Sequence, residues 1–321
     1  MKKLFILTFI ASTFCILLLS GCDKNKTAFK NEDGASTVDN RTAQSENDAA
    51  VSDVNDVMGN QGSLRGKGEE ATGTTGVLGN ICGMSLDTGN TRFGSIKLNY
   101  NGTTCNNRTR TGSIVLTIVD YALGKRWKTK GCVLKVEYLD YKIKRASDGK
   151  SIQFNGIQYI TNETGGTWWE LFIIKTQTSL SHGVTSSNLL ATFEDGKTAT
   201  YNINRRITYS FPNNIVTCTA EGTGTSDGLS NLENFGTTRD GDAFTSQVTT
   251  PIIWNLTCGA GAPIQGEVNL KVASKAFDLK CLFGVDASGN SITVGTNNCP
   301  YGWKLEWTYK KDNNKKIIGY N

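Results

Sequence analysis

Residues 134–144, Leu-Lys-Val-Glu-Tyr-Leu-Asp-Tyr-Lys-Ile-Lys, carry the pattern that decides the fold. In the first half of this stretch, apolar and charged side chains alternate, which is the period of a β-strand with one face in the core and one in water. Tyr138 and Leu139 are both apolar, and beyond them Leu139, Tyr141 and Ile143 take the apolar positions. This change of phase predicts a β-bulge inside one long strand.

Similar alternation recurs after residue 75, most cleanly in a run whose alternate residues are Trp303, Leu305, Trp307 and Tyr309. Asp148-Gly149 and Asp195-Gly196 lie between strand-like runs, and Asp-Gly supports the positive φ values of tight hairpins. No segment after residue 75 keeps a helical period. We therefore expect an all-β fold class, an antiparallel meander forming a sandwich, a curved sheet or a half-barrel.

The N-terminal segment predicts export. A basic start and an apolar run to Leu19 have the layout of a secretory signal peptide over residues 1–21. An uncleaved membrane anchor is the alternative, because the run is close to the length that spans a bilayer. Leu19-Ser-Gly-Cys22 resembles the lipobox of bacterial lipoproteins. The resemblance implies lipidation at Cys22 and attachment of the chain to a membrane through acyl chains.

Residues 22–75 predict a lipidated flexible tether. They are rich in Asn, Asp, Ser, Thr and Gly, and such a composition buries too little apolar surface to offset its ordering entropy. A short helix over 49–58 is compatible with the spacing of Val51, Val54 and Met58, although isolated helices of this length are marginal. The whole chain carries a net charge of +5. Its charges are dispersed and no nucleic-acid-binding motif is present, so we expect no nucleic-acid partner.

The remaining chain divides into a first β half, 76–225, and a second β half, 226–321. Both halves contain two cysteines 23 positions apart, Cys82 with Cys105 and Cys258 with Cys281, which favours two related halves. Exported chains keep disulfides. Treating the two cysteine pairs as parallel features predicts the disulfides Cys82–Cys105 and Cys258–Cys281, although seven cysteines allow many other connectivities.

One family resemblance covers most of 80–310 and is clearest at 94–166. The residues that carry it are the strand from Ile96, the loop at Cys105, the segment Arg108-Thr-Arg-Thr-Gly112 and the strand containing Asp140-Tyr141. Together they resemble a group of uncharacterised envelope lipoproteins of Bacteroidota. The resemblance implies an envelope protein with a β architecture, and it implies no known activity.

Catalytic and metal-binding patterns are not found in the sequence. His182 is the single histidine, no Cys-x-x-Cys pair is present, and nothing distinguishes acids such as Glu137 and Glu170. We therefore expect no cofactor, no metal site and no catalytic residues.

Trp168 and Trp169 are the candidate ligand-contacting residues. On a strand, one of two adjacent tryptophans faces the core and the other faces outward, where it could stack on a sugar or a protein ligand. Packing of both side chains in the core is the alternative. The leading hypothesis is a non-catalytic binding or structural protein, lipid-anchored in the cell envelope at the outer membrane, with its surface or periplasmic orientation and its oligomeric state open. The alternatives are a carbohydrate-binding lipoprotein and an unrecognised hydrolase.

Overall fold

The computed structural model describes residues 31–60, 75–76, 79–105, 107–255, 257–259, 262–273, 278–293, 298–309 and 312–320. Within these residues a long helix, α1 (Asn31–Asn60), precedes seventeen strands. The strands are β1 (Thr75–Gly76), β2 (Gly79–Asn80), β3 (Met84–Asp87), β4 (Ser95–Cys105), β5 (Arg108–Ile118), β6 (Cys132–Arg145), β7 (Ser151–Asn162), β8 (Ser179–Phe193), β9 (Thr198–Ser210), β10 (Thr217–Gly222), β11 (Gly224–Ser226), β12 (Leu229–Thr237), β13 (Ala243–Asn255), β14 (Gln265–Val272), β15 (Asp278–Val285), β16 (Gly302–Tyr309) and β17 (Asp312–Gly319).

Strands β3 to β17 form a single antiparallel sheet, while β1 and β2 pair with each other. Most neighbours in sequence are also neighbours in the sheet, as in a meander. The exception is in the middle, where β9 pairs with β12 through residues 200–203 and with β10 through residues 205–210. The all-β prediction is confirmed. Among the described strands, β3 and β17 lie at the two ends of the pairing order.

Register shifts line up across four consecutive strand pairs, from β5–β6 to β8–β9. In the first two pairs the extra residue lies on β6, between Tyr138 and Tyr141. In the last two pairs it lies on β8, between Ser186 and Leu189. A β-bulge bends its strand and increases the local twist, so β6 and β8 are both bent at this level of the sheet.

The predicted bulge after Tyr138 is therefore confirmed, with one correction. Tyr141 and Ile143 are buried as expected, but Leu139 is 42% exposed, because it belongs to the bulge itself. The two predicted hairpin turns are also confirmed, with Gly149 at φ 70° and Gly196 at φ 81°.

From Ser36 onward, helix α1 belongs to the same compact unit as the strands and packs against the sheet. Its buried apolar side chains are Ala43, Ala50, Val51, Val54, Val57 and Met58. The short helix predicted over 49–58 is thus confirmed as part of a longer one. A larger set of polar side chains is buried with them, namely Ser36, Thr37, Asn40, Arg41, Gln44, Glu46, Asn47, Asn55 and Asp56.

The flexible tether predicted over 22–75 is wrong for residues 36–60. A polar composition predicts disorder when apolar burial alone offsets the entropy of ordering. In α1, polar side chains instead pair with polar side chains of the sheet, whose positions are 47 to 205 residues further along the chain. Residues 22–30 and 61–74 lie outside the described residues, so the tether stays a prediction for them.

The predicted cysteine pairing is half right. Cys82 and Cys105 form a disulfide, as predicted, but Cys258 is bonded to Cys299 and not to Cys281. Cys281 is a free cysteine on β15, fully buried on the core face of the sheet, whereas Cys258 lies in the loop after β13. The parallel between the two cysteine pairs therefore fails. The boundary at 225/226 falls inside β11, within one continuous sheet.

Candidate functional site

The predicted site residues lie in different places. Cys22 lies outside the described residues. Trp168 and Trp169 do not lie on a strand, as the sequence predicts, but at the start of a short π-helical turn, Trp169–Ile173. Trp168 is 4% exposed and packs against Phe172 and Tyr209, and Trp169 is half-buried. The predicted strand placement is therefore wrong, whereas Trp168 faces inward as one of the two was expected to do.

The loop before this turn explains the difference. Asn162, at the end of β7, donates to the carbonyl oxygens of Trp127 (2.8 Å) and Gly166 (2.7 Å) and accepts from the Gly165 amide (2.9 Å). Gly165 and Gly166 both have φ 81°, a left-handed conformation that favours glycine. The chain therefore turns back immediately after β7, and Trp168 is directed into the body of the protein.

A buried network of charges joins α1 to the sheet. The Arg41 guanidinium contacts the carboxylate of Glu233 on β12 and donates to Ser246 Oγ on β13 at 2.9 Å. Arg205 on β9 lies between two acids, bonded to Asp48 of α1 and 3.6 Å from Glu233. Burial acts to raise the pKa of Glu233, but the guanidinium groups of Arg41 and Arg205 outweigh it and lower that pKa. The two arginines and two acids balance in charge.

Neutral hydrogen bonds continue this interface along the helix. Asn47 donates to Tyr138 Oη (3.1 Å), Tyr138 donates to Gln158 Oε1 (2.8 Å), and Gln158 donates back to Asn47 Oδ1 (3.1 Å). Further along α1, Asn55 donates to Tyr209 Oη at 3.1 Å. Buried polar groups with their partners supplied in this way specify one register of the helix against the sheet.

The remaining side of α1 forms the floor of a cleft of about 330 Å³. We call this the α1 cleft. Its floor consists of Ser45, Glu46, Asp48, Ala49, Ser52 and Asp53. One wall comes from β4 to β6, with Cys105, Arg108, Arg110 and Tyr141. The opposite wall comes from the turn at Trp168 and from β9 to β13, with Trp168, Arg205, Ile207, Tyr209, Val216, Cys218, Ala220, Trp254 and Asn255.

Every charged group that lines the α1 cleft has an oppositely charged partner within it. Arg108 Nε lies 3.1 Å from Glu46 Oε1, and Arg110 is bonded to Asp53, which also accepts from Tyr100 Oη at 2.9 Å. The third pair is Arg205 with Asp48. Burial raises the pKa of Asp48 and Asp53, and the adjacent guanidinium groups oppose that rise. The cleft is therefore polar but has no net charge.

His182 lies near the start of β8 rather than in a loop, and it is fully buried, with ring centroids 5.0 Å from Trp127 and 5.5 Å from Tyr209. Neither ring nitrogen has a hydrogen-bond partner among the described residues. Burial lowers the pKa of His182 to about 3, so the imidazole is neutral at physiological pH.

The sequence contained a signal for this site that the composition argument missed. Asp39, Glu46 and Asp53 are seven residues apart, and so are Arg41, Asp48 and Asn55. Seven residues are two turns of a helix, so each set lies on one stripe. A polar repeat with helical spacing predicts a helix with a polar partner surface, although it does not identify that surface.

Two other features, a metal centre and a membrane-spanning helix, are absent from the described residues. Across the residues with described structure, no group of three or more His, Cys, Asp or Glu side chains is placed to hold a metal ion. The same residues include no helix with the length and apolar character needed to cross a membrane. Compared with known proteins, the chain matches no family model, no curated protein and no solved structure at a significant level.

Proposed function

We propose that the protein is a lipid-anchored cell-envelope protein that binds a small ligand in the α1 cleft without catalysing a reaction. The observation that carries the binding function is the cleft itself. At about 330 Å³ it falls within the usual size of ligand pockets. Aromatic side chains and convergent polar groups line it together, which is the composition typical of such pockets.

Filling the cleft is the direct test of the binding function. Ala49 is an exposed residue of the floor, so Ala49→Trp places a large side chain in the cleft without disturbing the core. Ala122, exposed in the turn Tyr121–Leu123, serves as the control with Ala122→Trp. We expect ligands found in a thermal-shift screen of small molecules to lose binding at least tenfold in Ala49→Trp only. Equal binding by both variants would contradict the assignment.

The lipid anchor is supported by the lipobox-like segment Leu19-Ser-Gly-Cys22 and by the signal-like run before it. Metabolic labelling with a fatty acid tests it: the wild-type chain should incorporate label, and Cys22→Ala should not. Protease treatment of whole cells then distinguishes a surface orientation from a periplasmic one. A labelled Cys22→Ala chain would contradict anchoring at this residue.

A hydrolase is the competing function, because Glu46, Asp48 and Asp53 converge on the α1 cleft. Each of these carboxylates is already bonded to an arginine, which favours a structural role over acid-base catalysis. Turnover on a panel of hydrolase substrates decides between the two. Turnover by the wild-type protein that is abolished in Asp53→Asn would replace the binding function with a catalytic one.

A further inference from the structure

The charges of the α1 cleft restrict the kind of ligand it can hold. Its three acids and three arginines form the pairs Glu46 with Arg108, Asp48 with Arg205 and Asp53 with Arg110. A charged ligand would have to break one of these pairs or remain unpaired in a partly buried site. Both are costly, since an uncompensated charge loses its hydration on burial. The cleft is suited to an uncharged ligand.

The same pairs provide hydrogen-bond donors and acceptors side by side. Arg108 uses its Nε–H toward Glu46, and its side chain is 35% exposed, so its Nη groups can donate to a ligand. The hydroxyls of Ser45 and Ser52, both half-buried on the floor, can donate and accept. A ligand hydroxyl also does both, and so it matches such a surface better than a pure donor or a pure acceptor.

A buried donor in the wall lacks a partner. Trp168 is 4% exposed and lines the cleft, and its Nε1–H makes no hydrogen bond within the described part of the chain. A buried unsatisfied donor costs free energy that a ligand oxygen would recover. Asn255 also lines the cleft. Its Oδ1 accepts from the backbone amide of Cys258, so its side-chain NH₂ group can donate to a ligand.

Aromatic rings supply the apolar part of the surface. Trp254 is half-buried in the wall of the cleft, and Tyr209 and Trp168 pack edge to face with centroids 5.2 Å apart. An indole offers a large flat face at low entropic cost. A sugar ring has the complementary shape, with C–H groups on its face and hydroxyls around its edge.

The volume limits the ligand to a small size. A cavity of 330 Å³ corresponds to roughly eleven water molecules at about 30 Å³ each. This space suits one or two sugar rings. We propose that the α1 cleft binds an uncharged mono- or disaccharide, or the end of a neutral glycan, with a ring stacked on Trp254 and its hydroxyls on the Arg108–Glu46 pair. This inference rests on the proposed binding function.

The test compares matched sugars on the full-length chain in detergent micelles. Titration calorimetry with neutral hexoses, pentoses, N-acetylhexosamines and their disaccharides should find at least one ligand. Its uronic-acid and amino-sugar counterparts should bind at least tenfold more weakly, because each adds a charge. Trp254→Ala should lower the affinity at least tenfold, whereas Trp169→Ala, which alters an indole that does not line the cleft, should leave it within twofold.

The outcomes separate the two proposals. Binding of a charged small molecule that is lost in Ala49→Trp, with no neutral sugar bound, would overturn the carbohydrate inference and keep the binding function. Sugar binding that is unaffected by both Trp254→Ala and Ala49→Trp would place the sugar elsewhere and overturn the inference. If no compound of either kind binds in an Ala49→Trp-sensitive manner, both proposals fail.

Discussion

At the scale of single residues, two adjacent arginines of β9 have opposite environments. The side chain of Arg205 is 1% exposed, between Asp48 and Glu233, while that of Arg206 is 46% exposed and bonded to Glu163 at 2.7 Å. Arg205→Ala leaves Asp48 without its cation and takes one of two cations from the buried Glu233, and we expect it to lower the free energy of unfolding by about 3–5 kcal/mol. Arg206→Ala should cost less than about 1 kcal/mol, since surface ion pairs contribute little. Urea denaturation of both variants measures the difference, and equal losses would contradict the network.

His182 makes a second prediction at this scale, because it is the single histidine in the chain. Its pKa is about 3 in the folded protein and 6.5 when unperturbed, so between these values the unfolded state binds a proton that the folded state does not. Stability contributed by the neutral ring is therefore present above pH 6.5 and is lost as the pH falls toward 3. Between pH 7 and 4.5 this linkage removes roughly 2–3 kcal/mol.

The variant His182→Phe keeps an aromatic ring in the same site and removes the titration. Asp39 contributes stability in the opposite direction over part of this range, because burial raises its pKa to about 6 in the folded protein. Both proteins contain Asp39, so its contribution cancels when the loss of stability in the variant is subtracted from that in the wild type. Chemical denaturation at pH 7 and 4.5 should show a smaller loss of stability in His182→Phe. Parallel losses in the two proteins would mean that the buried imidazole does not account for the pH dependence.

At the scale of elements, α1 depends on the sheet for its helical structure. Ser, Thr, Asn and Asp, which are poor helix formers, dominate residues 31–60, and Gly34 lies near the start. A synthetic peptide of residues 31–60 should therefore show little helix by circular dichroism. In the full chain, the amides of residues 43–58 should be protected from hydrogen exchange to a degree close to those of β6. A strongly helical free peptide, or amides that exchange as fast as in the free peptide, would count against this dependence.

At the scale of the whole molecule, the bulge of β6 brings its backbone into close contact with β5 in the middle of the sheet. Gly112, at φ 86°, lies against the bulge of β6, where an added Cβ would be 2.1 Å from the backbone oxygen of Asp140. Gly112→Ala should lower the free energy of unfolding by roughly 3 kcal/mol or more, because β6 must move. Gly196, at φ 81° with no atom within 4 Å of its Cβ position, is the matched control.

For Gly196→Ala we expect a loss of about 1–2 kcal/mol, from backbone conformation alone. The difference between the two glycine variants, measured by thermal or urea unfolding, isolates the steric part. If Gly112→Ala were no worse than Gly196→Ala, the close approach of β5 and β6 at the bulge would not be required for the fold.

The features of this fold that could be predicted depend on residues close together in the sequence, and the features that were missed depend on residues far apart in it. The alternation around Tyr138, its change of phase and the Asp-Gly turns are all set by residues within a few positions, and each was confirmed. The buried helix was missed because its polar side chains are explained only by Glu233, Ser246 and other partners far along the chain. The α1 cleft was missed for the same reason, since its floor and walls come from separate parts of the sequence.

Because the chain is synthesised from its N-terminus, the polar side chains of α1 are made before the partners that they bind in the sheet. Arg41 leaves the ribosome first, but Glu233 and Ser246 follow 192 and 205 residues later. At roughly 5–20 residues per second, this interval is on the order of 10–40 s. Throughout this interval Arg41 lacks both partners, whereas Asp53 and Glu46 of the same helix meet Arg110 and Arg108 only 57 and 62 residues later. The helix therefore completes its buried charge pairs last at its N-terminal end.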